Sequence, residues 1–244
     1  MKYLDRVETG IESIEAFLGK RVHEALELLY RDLWDERLHE LDDLLDFYEE
    51  RWEGGWHSGV LIARPVKRAS EYFDDGVDCI RNYYRENYPF DQNRTIFLEE
   101  LVEFELDRSG RRVFRGYIDR VASRPDGTCE IHDYKTGKRV PDQSELEDDR
   151  QLTLYQVAVQ NMHPEARRVE LVRHYLSRGV SFRLRRTESD LRRIVQETKR
   201  FIRDIETTTR FPAVKRLCDW CEFRAICPAW TRGVFQPVVE VHST

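Results

Sequence analysis

The sequence predicts a mixed α/β fold, with one central mixed sheet flanked by helices and preceded by a helical region. Three observations lead there. Apolar residues recur at helical spacing through the first third of the chain. Between residues 95 and 136 the pattern changes to three strand-like runs separated by turn residues. A helix, a hairpin and a long helix then follow, so the strands of the second half must share a sheet covered by helices.

Residues 11–34 read as a helix through Val22, Leu26, Leu29 and Leu33, and 37–52 as a second through Leu38, Leu41, Leu45, Tyr48 and Trp52. The segment EGGWHSG breaks the pattern, and a third helix is expected over 67–87, ending before Pro89. The strands are 95–107, 113–123 and 128–136, joined by turns at Arg108–Gly110 and at the Pro-Asp-Gly of 125–127, which makes an antiparallel meander. Residues 149–162 return to helix. The runs 169–177 and 180–187 form a hairpin about Arg178–Gly179. Thr187 with Asp190 resembles a capping box that opens a long helix with Leu191, Ile194, Val195, Thr198, Phe201, Ile202 and Ile205 on one face.

The 244 residues suit a single domain with a helical part at 1–90, a core at 91–210 and a cysteine-containing tail at 211–244. Hydrophobic residues make up 40% and charged residues 35%, the balance of a water-soluble globular chain. No apolar run approaches the roughly 20 residues that cross a bilayer, and MKYLDRVETG lacks a secretory apolar region, so the expected location is cytoplasmic, away from membranes. Five cysteines, unevenly grouped, do not suggest a disulfide framework. The net charge of −6 is unevenly spread: 42–53 is acidic, whereas 167–200 is basic and includes Arg183, Arg185 and Arg186. Local field rather than net charge governs contact with phosphate, so those three arginines are candidate nucleic-acid-binding residues. The Arg192–Arg200 stretch reads equally well as a solvated helix face.

The chemistry centres on GYIDR followed by EIHDYKTGK. Asp119 lies on one strand and Asp133 on the next, and Lys135, two residues after Asp133, points to the same face. Two carboxylates converging from paired strands suit a hard cation such as Mg²⁺ or Mn²⁺, and a neighbouring ammonium suits phosphodiester hydrolysis. Asp-x-Lys alone is a weak signal, since strand surfaces often carry such pairs. Downstream, Gln151 and Tyr155 stand four apart on one helix face and can reach the same cleft.

The runs G-Y-I-D-R, D-Y-K-T-G-K and Q-L-x-L-Y together resemble the RecB-type branch of the PD-(D/E)XK nucleases, over about Ile11 to Pro228. The resemblance implies a restriction-endonuclease-like core and a DNA exonuclease acting on single strands or ends, in repair or in CRISPR-type processing, with a helicase or CRISPR-adaptation complex as partner. It also implies that Asp119, Asp133, Lys135, Gln151 and Tyr155 are catalytic. His23, in LGKRVHEALELLY, takes the place of a helical ligand beside Asp119, Asp133 and the backbone carbonyl of Tyr134. Glu99 or Glu100 resembles a further acidic position, and adjacent strand residues leave open which one faces the cleft.

Cys218-x2-Cys221-x5-Cys227 is a metal-binding spacing that admits zinc or iron–sulfur. The tail resembles the C-terminal part of the iron staple of RecB-like nucleases, which favours a [4Fe–4S] cluster over zinc. The fourth cysteine of that pattern lies upstream of the His helix, and no cysteine precedes His23; the simplest expectation is that the segment carrying it is missing. Two other functions compete. A non-catalytic nucleic-acid-binding module with a metal-stapled tail would keep the fold but not the acidic and basic site residues. A zinc-ribbon adaptor would explain only the tail.

Overall fold

A computed structural model describes residues 6–63, 67–107, 110–209 and 218–231. Ser13 caps the first helix, its hydroxyl accepting from Ala16 N–H at 3.2 Å. The elements are β1 (Glu12–Ser13), α1 (Ile14–Asp32), α2 (Leu41–Gly55), β2 (Val60–Leu61), α3 (Ala69–Asn87), β3 (Arg94–Glu105), β4 (Val113–Ser123) and β5 (Cys129–Lys135). They continue with α4 (Gln143–Glu147), α5 (Arg150–Met162), β6 (Val169–Tyr175), β7 (Val180–Leu184), α6 (Glu188–Thr207) and α7 (Pro228–Thr231). The second helix starts at Leu41 rather than residue 37, and Leu38 is exposed. Glu40 and Asp43 form a capping box there, which sets the boundary more strongly than apolar spacing does. Thr187 and Asp190 cap α6 as the sequence predicts.

Five strands form one mixed sheet in the order β3-β4-β5-β6-β7. The meander and the β6–β7 hairpin are antiparallel, and β5 pairs with β6 in parallel. Helix α5 supplies the crossover between those two parallel strands, as a parallel pair requires. The face toward α1–α3 is covered by Phe17, Val22, Leu26, Leu29, Ile80 and Tyr83, into which Tyr134 and Leu176 reach from the sheet side. The opposite face buries Ile131, Leu171 and Leu184 beneath Leu152, Ala158 and Val159 of α5 and Ile194 of α6. Burying each such aliphatic side chain contributes about 1.5–3 kcal/mol, so these two layers fix where the ends of the strands lie. Phe201 and Ile205 of α6, expected on its buried face, are 54% and 42% exposed, whereas Ile194 and Thr198 earlier in the helix are buried. No described helix is long and apolar enough to cross a membrane.

Candidate active site

The site forms where two strands break their regular alternation. On β3, Phe97 and Val102 belong to the same core cluster although five residues separate them; on β4, Ile118 and Val121 do so at a separation of three. Regular strands put only even-numbered neighbours on one face, so the alternation slips by one residue in each strand. Glu99 marks the slip on β3 with a positive φ of 46°, a conformation that costs a non-glycine residue on the order of 1 kcal/mol or more. The flanking pairs Leu98↔Arg120 and Glu100↔Ile118 set Glu99 opposite Asp119. This settles the choice between Glu99 and Glu100, which strand alternation alone could not make.

The ladder between β4 and β5 runs from Ser123↔Cys129 to Arg120↔His132. Beyond it, the Asp119 side chain takes the place of a backbone acceptor, receiving the Tyr134 N–H on Oδ2 at 2.6 Å. The Tyr134 carbonyl is met by His23 Nε2 at 3.1 Å. His23 sits on α1 beside the buried stripe, and its Nδ1 is 3.6 Å from Asp119 and 3.7 Å from Glu99. Ligand atoms of His23, Glu99 and Asp119 all lie within 4.8 Å of one another, the only such group among the described residues.

One residue along β5, Asp133 faces the α5 side, its carboxylate 2.9 Å from Lys135 Nζ. Arg173 of β6, the register partner of Asp133, approaches Oδ2 at 3.2 Å. The angle there is too poor for a hydrogen bond, so Asp133 Oδ2 and the Arg173 Nε and Nη2 groups are buried without hydrogen-bond partners among the described residues. Asp149 couples this pair to α5: one oxygen caps the helix, accepting from Leu152 N–H at 2.9 Å, and the other pairs with Arg173. The helix thus anchored presents Gln151, whose Nε2 donates to the Tyr155 hydroxyl at 2.9 Å. The Tyr155 ring rests on Gly116, where a Cβ would come within 2.7 Å of Cε1, so the glycine of GYIDR lets the ring lie against β4.

The charges reinforce one another. Burial pushes the Asp119 carboxyl up to about 6, against the pull of His23 and with the help of Asp133. Burial depresses the His23 imidazole, but the hydrogen bond with Glu99 and the charges of Asp119 and Glu99 outweigh it, and the pKa is raised. Burial, followed by the Asp133 and Asp119 charges, lifts the Tyr155 hydroxyl to about 12 despite its bond to Gln151. All three shifts reflect a buried pocket rich in negative charge.

Residues 1–228 match the family model of the PD-(D/E)XK nuclease superfamily. The chain belongs to that superfamily. Membership makes it a metal-dependent nuclease, a phosphodiester hydrolase with a nucleic-acid substrate. One solved structure, "Crystal structure of SSO0001", is similar over 88% of this chain and 95% of that chain, at 18% identity and a TM-score of 0.38. No curated protein matches the sequence.

The superfamily's Mg²⁺ or Mn²⁺ fits the residues present. The donors are an imidazole, carboxylates and a backbone carbonyl. Of the ligands expected for this nuclease, His23, Asp119 and the Tyr134 carbonyl come together, and Glu99 joins them. Asp133, expected as a ligand, falls outside this group; its charge reaches Asp119, and its own carboxylate is paired with Lys135 and Arg173. Sequence reasoning missed Arg173 and Asp149. A charged residue within the otherwise apolar VELV-R-HY strand, and an Asp at the N-cap of the Gln151 helix, were the available signals.

The arginines expected to bind nucleic acid sit elsewhere. Arg183 pairs with Glu130 and Glu170, and Arg185 with Glu170 at 3.1 Å, near the starts of β5 and β6, whereas Asp133 and Lys135 are at the end of β5. Arg186 donates to the Leu146 carbonyl at 2.6 Å and to Thr153 Oγ1 at 3.1 Å. Cys218, Cys221 and Cys227 are half-buried, and their thiols do not form a ligand group. Cys79 and Cys129 are buried in the two separate cores. The cysteine-bearing turns do pack beside α1, through Trp220 Nε1 to Glu15 at 3.2 Å and Thr9 Oγ1 to Glu222 at 3.1 Å.

Proposed function

We propose that this chain is a RecB-like DNA exonuclease acting on single strands or DNA ends. The observation that carries the reading is the convergence of His23, Glu99, Asp119 and the Tyr134 carbonyl beside Asp133 and Lys135. When bound, the divalent cation supplies Lewis acidity and a lowered water pKa. His23, Glu99, Asp119 and the Tyr134 carbonyl would hold it, with Asp133 at its edge. Lys135, 36% exposed in its side chain and held to Asp133, offers its ammonium to a phosphate oxygen and stabilises charge that develops on the phosphate. Arg173 holds Asp133 in position through their ion pair, and Asp149 keeps Arg173 in place. Gln151 and Tyr155 form one hydrogen-bonded unit on the α5 wall that can position the strand near the scissile phosphate.

The tail extends the proposal. The Cys-x2-Cys-x5-Cys spacing and its docking beside α1 support a [4Fe–4S] staple joining the two ends of the chain, with one ligand from outside the described thiols. Iron and sulfide analysis of anaerobically purified protein tests this part separately. Repair or CRISPR-type processing, with a helicase or adaptation partner, is the setting this reading suggests.

Incubating end-labelled single- and double-stranded DNA with Mn²⁺ or Mg²⁺, beside a Lys135→Ala control, tests the activity. Metal-dependent shortening from the ends that is lost in the control is the expected result. Intact DNA with folded, metal-loaded protein would favour the binding-module alternative.

A further inference from the structure

Far from the catalytic cleft, a polar cavity of about 360 Å³ opens between the C-terminal half of α5, the start of β6 and the junction of β7 with α6. It lies at the opposite end of β5 from Asp133: Thr128 lines it, five residues earlier, roughly 17 Å along the strand. Arg167, Arg168, Arg185 and Arg186 line the cavity, with Gln156 and Gln160.

The charges around it do not balance. Glu130, Glu170 and Asp126 are matched by Arg124, Arg183 and Arg185. Glu188, at the cavity rim, is paired with Arg192 at 3.0 Å. Arg167, Arg168 and Arg186 are left without a carboxylate partner among the described residues, although Arg168 donates to the Asp126 carbonyl and Arg186 to the Leu146 carbonyl. Burial pushes the Arg186 guanidinium down by more than the charges of Asp149, Asp190 and Glu147 raise it, with Arg193 adding to the fall. The floor is incompletely bonded as well. Gln156 is 97% buried (3% exposed), its Oε1 has no partner among the described residues, and its Nε2 reaches Gln160 only at 3.5 Å.

We infer that this cavity is a phosphate site for a nucleotide unit, in which Arg167, Arg168 and Arg186 hold the phosphate. Planar guanidinium forks suit phosphate oxygens, and three of them facing one polar cavity offer more donors than any neighbouring carboxylate takes up. The adjustable Gln156 and Gln160 amides can meet the attached sugar or base. The phosphate comes from one of two sources, a DNA strand extending from the catalytic cleft or a free nucleotide. The first source rests on the nuclease reading above.

The test is binding by the full chain in EDTA, where no cleavage occurs, so that a failure of the nuclease reading does not affect it. Anisotropy of a labelled single-stranded oligonucleotide across a salt series, and calorimetry with dAMP, compare wild type with Arg167→Gln/Arg168→Gln and with Arg167→Lys/Arg168→Lys. Both arginines are exposed, so the fold should survive. If a strand occupies the cavity, the Gln pair flattens the slope of log affinity against log salt by up to about 0.7, the value for one phosphate no longer neutralised, and the Lys pair restores it. If the occupant is a free nucleotide, the oligonucleotide slope is unchanged and dAMP binding weakens about tenfold or more in the Gln pair. Unchanged binding of both ligands in the Gln pair overturns the inference.

Discussion

Asp119 and Arg120 are neighbours on β4 yet belong to networks of opposite character. Arg120 points toward α1 and is fully buried, with its donors taken up. Its Nε donates to the Tyr134 hydroxyl at 3.1 Å, Nη1 to Asn93 at 2.8 Å and to Thr95 at 3.2 Å, and Nη2 contacts His132 at 3.0 Å. The guanidinium also lies 3.9 Å over the Tyr30 ring. Burial, with Arg120 beside it, pushes the His132 imidazole down to about 3, so that it stays neutral and can accept. Around Asp119 and Asp133, by contrast, each carboxylate accepts a single hydrogen bond, from the Tyr134 N–H and from Lys135, and Asp133 Oδ2 is met by cations without a hydrogen bond among the described residues. A saturated network fixes a structure; an unsaturated one leaves coordination positions for something that comes and goes. Strand alternation sends Asp133 and Tyr134 of β5 to opposite faces, whereas the slip in β4 leaves Asp119 and Arg120 both facing α1, beside His23 and Tyr30 respectively.

That contrast predicts which changes alter activity and which alter stability. Lys135→Ala should lower the rate of DNA cleavage by ~10²–10³-fold while leaving the urea midpoint close to wild type, since among the described residues the half-exposed ammonium pairs with Asp133 alone. A large fall in the midpoint would place Lys135 in the structural network instead. Arg120→Met should do the reverse. It removes a donor from the Tyr134 hydroxyl, Asn93, Thr95 and His132 in the interior and should cost about 3 kcal/mol or more, read as a lower urea midpoint. Arg173→Met lies between the two: it touches no substrate but releases Asp133, and should weaken Mn²⁺ binding or cleavage by ~10–100-fold. The smallest effects separate adjacent glutamates. Glu99→Gln should weaken Mn²⁺ binding about tenfold, at the lower end of that range, and Glu100→Gln should leave it within about twofold. Equal effects at both positions would contradict the slip in β3.

Much of the fold was legible because its signals are local. Helical spacing, the Pro-Asp-Gly turn and the Thr187 cap each fix an element within a few residues. The parallel pairing of β5 with β6 was not, because it joins segments separated by a whole helix. In the site, Asp119, Asp133 and Lys135 could be read from two strands and their alternation. Glu99 could not, because its placement depends on a break in that alternation which no residue type announces; the position is a glutamate at φ 46° where a glycine would have been a signal. Arg173 and Asp149 escaped for a related reason: their role is to hold other residues, and only the register shows which ones.

The most direct test of the unsaturated network is calorimetric titration of Mn²⁺ into metal-free wild type and into Asp119→Asn. The account predicts saturable binding to wild type and a loss of affinity of about tenfold or more in Asp119→Asn, with both proteins folded. Equal affinity in the two, or no binding to folded wild type, would contradict the claim that His23, Glu99, Asp119 and the Tyr134 carbonyl are a metal site.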